Sequence, residues 1–481
     1  MFHFMKRGVC VVLLVSLLLC ASLIPVSCGK TKPGSASELK DALEKSGFTV
    51  QEGKLGPVNV FKMVEAGLFT NANYQNAGAA YFVPMLPPAP GQSAPCYFSD
   101  AAIQPADQGL FIDYRIQPDE AIVFVGKTPP RCQYFGYDAD IATRWSPQTG
   151  KPVVIFGNYG DPINPLTIKT DGPADDPYER DTIIIMTADK GVASSVQAAA
   201  ADAGYSPDII NDYPIPSQIL KLGLDQGSDT LTLQHRFAYP AEEQAAKNYT
   251  ANPTMSVFRV TPKKSPKLDP YEMPEARIRG TGDFKEPELT DAVEQLRQAI
   301  LKKYQGFTAE ESVTSPWGGG ADGVDGLVAM QEMQSVYGPG RDALYLRTTE
   351  FTLDNDPNEF VIVYGINHAS TGKATYTSLS VYGTQQANGV ASAWNGQYGG
   401  TAAEYLPGNP EAKYLYVWKI ARNSNGDTHT TAVPYNQGIN GIDLDQSMFL
   451  GFRLYLEQKT KTGPIASELY LDRAIKFSKK Q

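Results

Sequence analysis

Two arginines hold matching places in this chain. Leu224-Asp225-Gln226 leads through alternating residues to Arg236 and Tyr239, and Leu444-Asp445-Gln446 leads in the same way to Arg453 and Tyr455. A guanidinium is a planar fork of N–H donors that fits a carboxylate or phosphate, so two of them on equivalent strands could meet at a pseudo-twofold interface and grip one anion. The competing account is an ion pair, or bonds to a loop backbone, within each half. Residues just past strand ends are the next candidates, because loops carry function. Lys127 and Arg131 follow Gly126, while Asn367 and His368 follow Gly365. If the two loops are equivalent, these four residues rim one crevice and hold a polar ligand; otherwise both loops point to solvent at opposite ends.

Other residues carry weaker chemistry. Asp354, Asp356 and Asn358 place oxygens at alternate positions ahead of Glu359, as calcium loops do. They lack the glycine and the distant glutamate of an EF-hand, and a polar hairpin turn uses the same residue types. Calcium is therefore the one cofactor the sequence raises. Asp138-Ala139-Asp140 has the spacing of an acidic pair that holds a metal–nucleotide, but no phosphate-cradling glycine loop accompanies it. No Gly-x-Ser-x-Gly elbow, zinc spacing or dinucleotide glycine pattern is present. The chain has 4 histidines, and one of them, His3, lies in an N-terminal targeting segment.

That segment has Lys6 and Arg7 ahead of an apolar run over 9–24, short for a spanning helix and right for a signal peptide over 1–29. Ser27-Cys28-Gly29 ends like a lipobox, which makes Cys28 a candidate lipidation site. Pro25 is off that pattern, and ordinary cleavage is the expected outcome. Export places the mature chain in the periplasm, at the cell surface or outside the cell. There Cys96 and Cys132 are expected to form a disulfide. A membrane would be touched only through a lipid anchor. The net charge of −10 excludes the basic footprint that nucleic acid needs.

The elements that must position these residues are repeated. Glu120 opens the apolar run Ala-Ile-Val-Phe-Val ending in Gly126, and Glu359 opens Phe-Val-Ile-Val-Tyr ending in Gly365; an aromatic strand follows each turn. Four more echoes keep the same order. Segments 38–44 and 288–294 open helices, Gly47-Phe48-Thr49 matches Gly306-Phe307-Thr308, the two Asp-to-Arg stretches match, and 256–261 parallels 469–477 as a closing strand. Five echoes in one order predict a tandem duplication. After a tether over 30–37, repeat 1 covers 38–262, a Pro-rich charged linker covers 263–285, and repeat 2 covers 286–480. Ser37 is expected to cap the first helix, over 38–46. Strands are expected near 110–116, 121–126, 133–137, 153–157, 182–187, 230–239 and 255–261 in repeat 1. A helix over 191–203 followed by a strand over 209–215 makes a β-α-β element that repeat 2 lacks. The expected fold is α+β: two copies of a mainly antiparallel sheet with covering helices.

The function that fits is an exported, non-catalytic binding or structural protein. Its partner would be a polar ligand such as a carbohydrate, or an envelope protein, held by the tyrosine-rich surface. The alternative is a secreted hydrolase with paired carboxylates, or His368, in the cleft between repeats.

Overall fold

The computed structural model describes residues 34–480 apart from 68, 99–108, 285, 318–325 and 436–437. The signal segment and Cys28 lie outside the described residues. The first half opens with α1 (Ala36–Lys45), where the Ser35 hydroxyl accepts from Glu38 N and the Glu38 carboxylate accepts from Ser35 N. The cap falls on Ser35 and not on Ser37 because only Ser35 has a glutamate three residues on, which completes a capping box. Then follow β1 (Phe48–Val58), α2 (Val60–Glu65), β2 (Ala79–Met85), β3 (Ala121–Lys127), β4 (Cys132–Ser146), β5 (Lys151–Asn158) and β6 (Asp181–Thr187). The half closes with α3 (Lys190–Asp202), β7 (Ile210–Pro214), β8 (Thr230–Pro240), α4 (Glu243–Ala251) and β9 (Met255–Pro262). The nine strands form one sheet in the order β5-β4-β8-β2-β1-β9-β3-β6-β7. All pairs are antiparallel except β6 with β7, which α3 connects as the expected β-α-β element. The stretch near 110–116 is not a strand. It makes only single bridges, Phe111 to Leu86, Tyr114 to Leu231 and Ile116 to Gly223, as it crosses between strands.

The second half runs α5 (Thr290–Lys303), β10 (Phe307–Val313), β11 (Ser315–Pro316), α6 (Gly326–Glu332), β12 (Ala343–Arg347), β13 (Phe360–Ile366), β14 (Tyr376–Gly383) and β15 (Asn388–Trp394). It ends with α7 (Asn395–Tyr398), β16 (Leu415–Ala421), β17 (Thr430–Ala432), β18 (Met448–Tyr455) and β19 (Arg473–Lys479). It has two five-stranded sheets, β15-β14-β18-β12-β11 and β10-β19-β13-β16-β17. With β10 and β11 counted as one broken first strand, this is the strand order of the first half, and β16 with β17 is again the one parallel pair. The break has a local cause. β1 is continuous, and Lys54 pairs on both sides. In the second half the ladder to β19 reaches as far as Thr314 N, which donates to Asp472 O, and two residues on Pro316 has no N–H to continue it.

The registers also agree. Tyr81 lies opposite Arg236, and Tyr345 opposite Arg453. Ala121 faces Val260, and Phe360 faces Phe477. The two glutamates that open the apolar runs each pair with a cation on the ninth strand, Glu120 with Arg259 and Glu359 with Lys476. Gly126 ends its run because its φ is +149° and a Cβ there would lie 2.2 Å from Thr254 O.

Helices cover one face of each half. Leu39, Leu43, Val192 and Val196 pack on Val123, Ile183 and Val260, and Val293, Leu296 and Ile300 pack on Ile362, Val417 and Ile475. Between the halves lies an aromatic layer that includes Tyr134 and Tyr239 from the first half and Tyr345, Tyr376, Tyr455 and Trp394 from the second. Both halves belong to one compact unit, Gly34–Gln481. The segment expected as a linker is tied down along its length. Asp269 O accepts from Lys190 N, Arg277 N donates to Asp161, and Gly282 N donates to Glu468.

The expected disulfide is absent. Cys132 is a buried free thiol at the start of β4, packed in the first-half core. Cys96 is a buried free thiol in a loop beside Gln92 and Asp113. Burial pushes the Cys96 thiol up to about 11 and the Cys132 thiol higher, so both stay in the unreactive protonated form.

Candidate functional site

Two arms build the site, each reaching from one half onto the other. In the first arm, Ala72 N and Tyr74 N donate to Gln386 O and Ala387 O, and Gln75 exchanges bonds with Gly389. In the second arm, Val336 N and Gly338 N donate to Ile155 O and Phe156 O. Each arm hands a carbonyl to the other half's arginine. Arg453 Nη2 donates to Tyr74 O at 2.6 Å, and Arg236 Nη2 donates to Gly338 O. The arms meet where the Tyr74 and Tyr337 rings pack edge to face, 5.6 Å between centroids. Tyr74, Tyr337 and Phe156 hold left-handed backbones, with φ of 50°, 62° and 48°. Such conformations cost bulky residues about 1–3 kcal/mol each and cluster at functional sites. Gly338 holds a φ of +63°, and a Cβ on it would lie 2.2 Å from Gln234 Nε2 and one on Gly340 2.4 Å from Arg236 Nη1, so either would displace a buried side-chain tip.

Between the arms and the two sheets is a cavity of about 260 Å³, lined by both arginines. Its wall on β8 runs from Arg236 through Gln234 to Thr232, and on β2 from Tyr81 to Val83. The polar end adds Tyr345, Arg453 and Tyr455; the apolar end is Met63, Phe69, Phe98, Ile112, Ala142 and Phe156.

The two halves differ at this point. Asp138 on β4 lies opposite Gln234 and pairs with Arg236 at 2.8 Å. Ser380 has the same place on β14, opposite Gly451, and Arg453 has no carboxylate partner among the described residues. Its guanidinium instead donates to the Tyr382 hydroxyl and lies over the rings of Tyr345 and Tyr382, 5.5 and 5.6 Å from their centroids. Burial pushes the Asp138 carboxyl up to about 6, with Arg236 opposing that rise. Asp140 is raised further, by burial and then by the charge of Asp138. The apolar end exists on one side only. Four residues before Arg236 stands Thr232, which leaves space. Four before Arg453 stands Phe449, which packs on Trp317 and Tyr382 and fills it.

Of the expected ligand residues, Arg236 and Arg453 are brought together. Lys127 closes β3, and its carbonyl accepts from Thr254 Oγ1. Arg131 pairs with Asp176 at the surface and lies over the Tyr178 ring. Asn367 Oδ1 caps a turn by accepting from Ala369 N. His368 is buried, with Nδ1 2.8 Å from Glu286 Oε1 and Nε2 3.3 Å from Asp472 Oδ2. None of these four lines the cavity. In the 354–358 loop, Asp356 Oδ1 accepts from Asn358 N and Nδ2, the bonding of a polar turn. Among the described residues no cluster of three or more His, Cys, Asp or Glu is placed to hold a metal ion. Sequence reasoning missed Tyr74, Tyr337 and the apolar end. The arms have no periodicity, and their sequence signal is turn residues alone, Asn71, Asn73, Asn76 and Gly78 in the first and Gly338-Pro339-Gly340 in the second.

No family model and no curated protein matches the chain. Among solved structures, an uncharacterized protein from Burkholderia cenocepacia aligns over 92% of this chain and 87% of its own at 8% identity, with a TM-score of 0.37.

Proposed function

We propose that this chain is an exported, non-catalytic binding protein made of an internally duplicated module, and that it holds a small molecule in the cavity between the two halves. Shared strand order, matching registers and the paired Glu120–Arg259 and Glu359–Lys476 contacts support the duplication. Export rests on the N-terminal sequence; no helix among the described residues is long and apolar enough to cross a membrane. The observation that carries the binding reading is broken symmetry. Two equivalent arginines meet in one cavity that is open on the Thr232 side and filled on the Phe449 side. Clefts walled from two sides with a few convergent polar groups are preferred small-molecule sites, and this one, at about 260 Å³, lies just below their usual ~300–1,000 Å³ range, which suits a small ligand.

The cavity lining among the described residues has no carboxylate, histidine, lysine or cysteine. A hydrolase would have to draw on Asp138 and Asp140, which Arg236 and Gln234 already engage. The lining therefore favours holding a ligand over cleaving one.

Native mass spectrometry of protein isolated from its own cell envelope tests this. A bound mass lost on denaturation is expected, and Thr232→Phe, which copies the second half, should abolish it. No bound mass on the unaltered protein, or one that persists in Thr232→Phe, would refute the reading.

A further inference from the structure

The ligand's chemistry can be read from what the cavity wall leaves unanswered. Arg236 and Asp138 neutralise each other, and Asp140 beside them is driven toward its neutral form by burial and the Asp138 charge. Arg453 is left as one uncompensated cation, 7% exposed. An arginine stays charged, and among the described residues its five N–H groups have two acceptors, Tyr382 Oη and Tyr74 O. A buried charge without a counter-ion is costly, so this end favours an anion.

The tyrosines point the same way. Tyr81 and Tyr345 hydroxyls accept from Asn76 N and Gly340 N, at 2.9 and 3.1 Å, which leaves their own protons free to donate. The Tyr455 hydroxyl, two residues from Arg453 on β18, makes no hydrogen bond among the described residues. The polar end thus offers donors and one net positive charge. The β8 wall from Arg236 to Thr232 spans about 13 Å at strand rise, and the apolar lining of the cavity comes from Met63, Phe69, Phe98, Ile112, Ala142 and Phe156.

We infer that the ligand is a small amphipathic monoanion, with a carboxylate on Arg453 and the phenols of Tyr345 and Tyr455 and a compact apolar body against Met63, Phe98 and Phe156. This inference rests on the binding reading above. One net charge matches a carboxylate better than a phosphate monoester, and the flat guanidinium takes a carboxylate in a forked pair. The cavity volume is roughly nine waters' share at ~30 Å³ each, which bounds the ligand to on the order of ten to fifteen heavy atoms.

Calorimetric titration of the full mature chain with octanoate and 3-phenylpropionate, against octanamide, octyl phosphate and octylammonium, tests the inference. The acids should bind about tenfold or more tighter than the amide, the scale of a charge-assisted bond. Arg453→Gln should erase that preference, weakening the acids to the level of the amide. Amide, phosphate or ammonium binding as tightly as the acids would overturn the inference, and so would binding of none of the probes. If Arg453→Gln does not fold, the comparison on the unaltered chain decides. The native bound mass separates the two proposals. A neutral or sugar-like adduct lost in Thr232→Phe would leave the binding reading standing and this inference overturned.

Discussion

Burial alone would strip the proton from His368, but Glu286 and Asp472 flank both ring nitrogens and hold its pKa up to about 10. The two carboxylates are themselves satisfied: Glu286 accepts from Thr371 Oγ1 and Tyr470 N, and Asp472 from Tyr416 Oη. The ring is therefore a doubly protonated tie between the segment before α5, the end of β13 and the start of β19. That role uses both nitrogens and leaves neither for proton transfer. Its folded pKa lies above the ordinary 6.5, so its stabilising contribution is complete below about pH 6.5 and is lost as pH rises through about 10. Nitrogen NMR at pH 8 should find both ring nitrogens protonated; a neutral tautomer there would contradict the tie. His368→Ala leaves two buried carboxylates unpaired and should cost about 3–5 kcal/mol in denaturant unfolding.

At the scale of elements, the strands were legible and the arms were not. Runs such as 121–126 and 360–365 announce buried strands because apolar side chains must leave water on both faces. The matching register positions of Arg236 and Arg453 were legible too, since each follows a Leu-Asp-Gln turn, 11 residues after Asp225 and 8 after Asp445. The histidine and lysine loops do not line the cavity, because position past a strand end says nothing about which face of a half meets the other. The faces that meet belong to β2, β4 and β8 and their counterparts. The arms lack any period, and their conformations are set by contacts in the opposite half. Gly338 tests how tightly that setting holds. With φ of +63° and Gln234 Nε2 in the way of a Cβ, Gly338→Ala meets left-handed strain and overpacking together. A loss of about 2–4 kcal/mol is expected in urea unfolding. An unchanged midpoint would mean that the second arm is not pinned against β8.

At the scale of the molecule, the two halves close one site jointly, so neither half should stand alone. The aromatic layer would be exposed in an isolated half, and each arginine would lose a carbonyl that only the other half supplies. Expressed separately, the halves should be insoluble or unfolded, while a proteolytic cut in 263–268 should leave them associated on gel filtration. The joint also carries a titrating group. Asp342, from the second half, takes the Tyr134 hydroxyl at 2.9 Å and Asn164 Nδ2 at 3.0 Å, both from the first half. Burial pushes its carboxyl up to about 7, against the pull of Arg277. The folded pKa is above the ordinary 3.8, so this group's contribution is complete below about pH 4 and is lost as pH rises through about 7. The cut protein should therefore separate at lower urea at pH 8 than at pH 5. Asp342→Asn mimics the protonated carboxyl: its amide oxygen can take Asn164 Nδ2, and its amide nitrogen can donate to the Tyr134 hydroxyl. That variant should shrink the difference between the two pH values. If the difference persists undiminished in Asp342→Asn, the pH dependence arises elsewhere and Asp342 is not the titrating group of the joint.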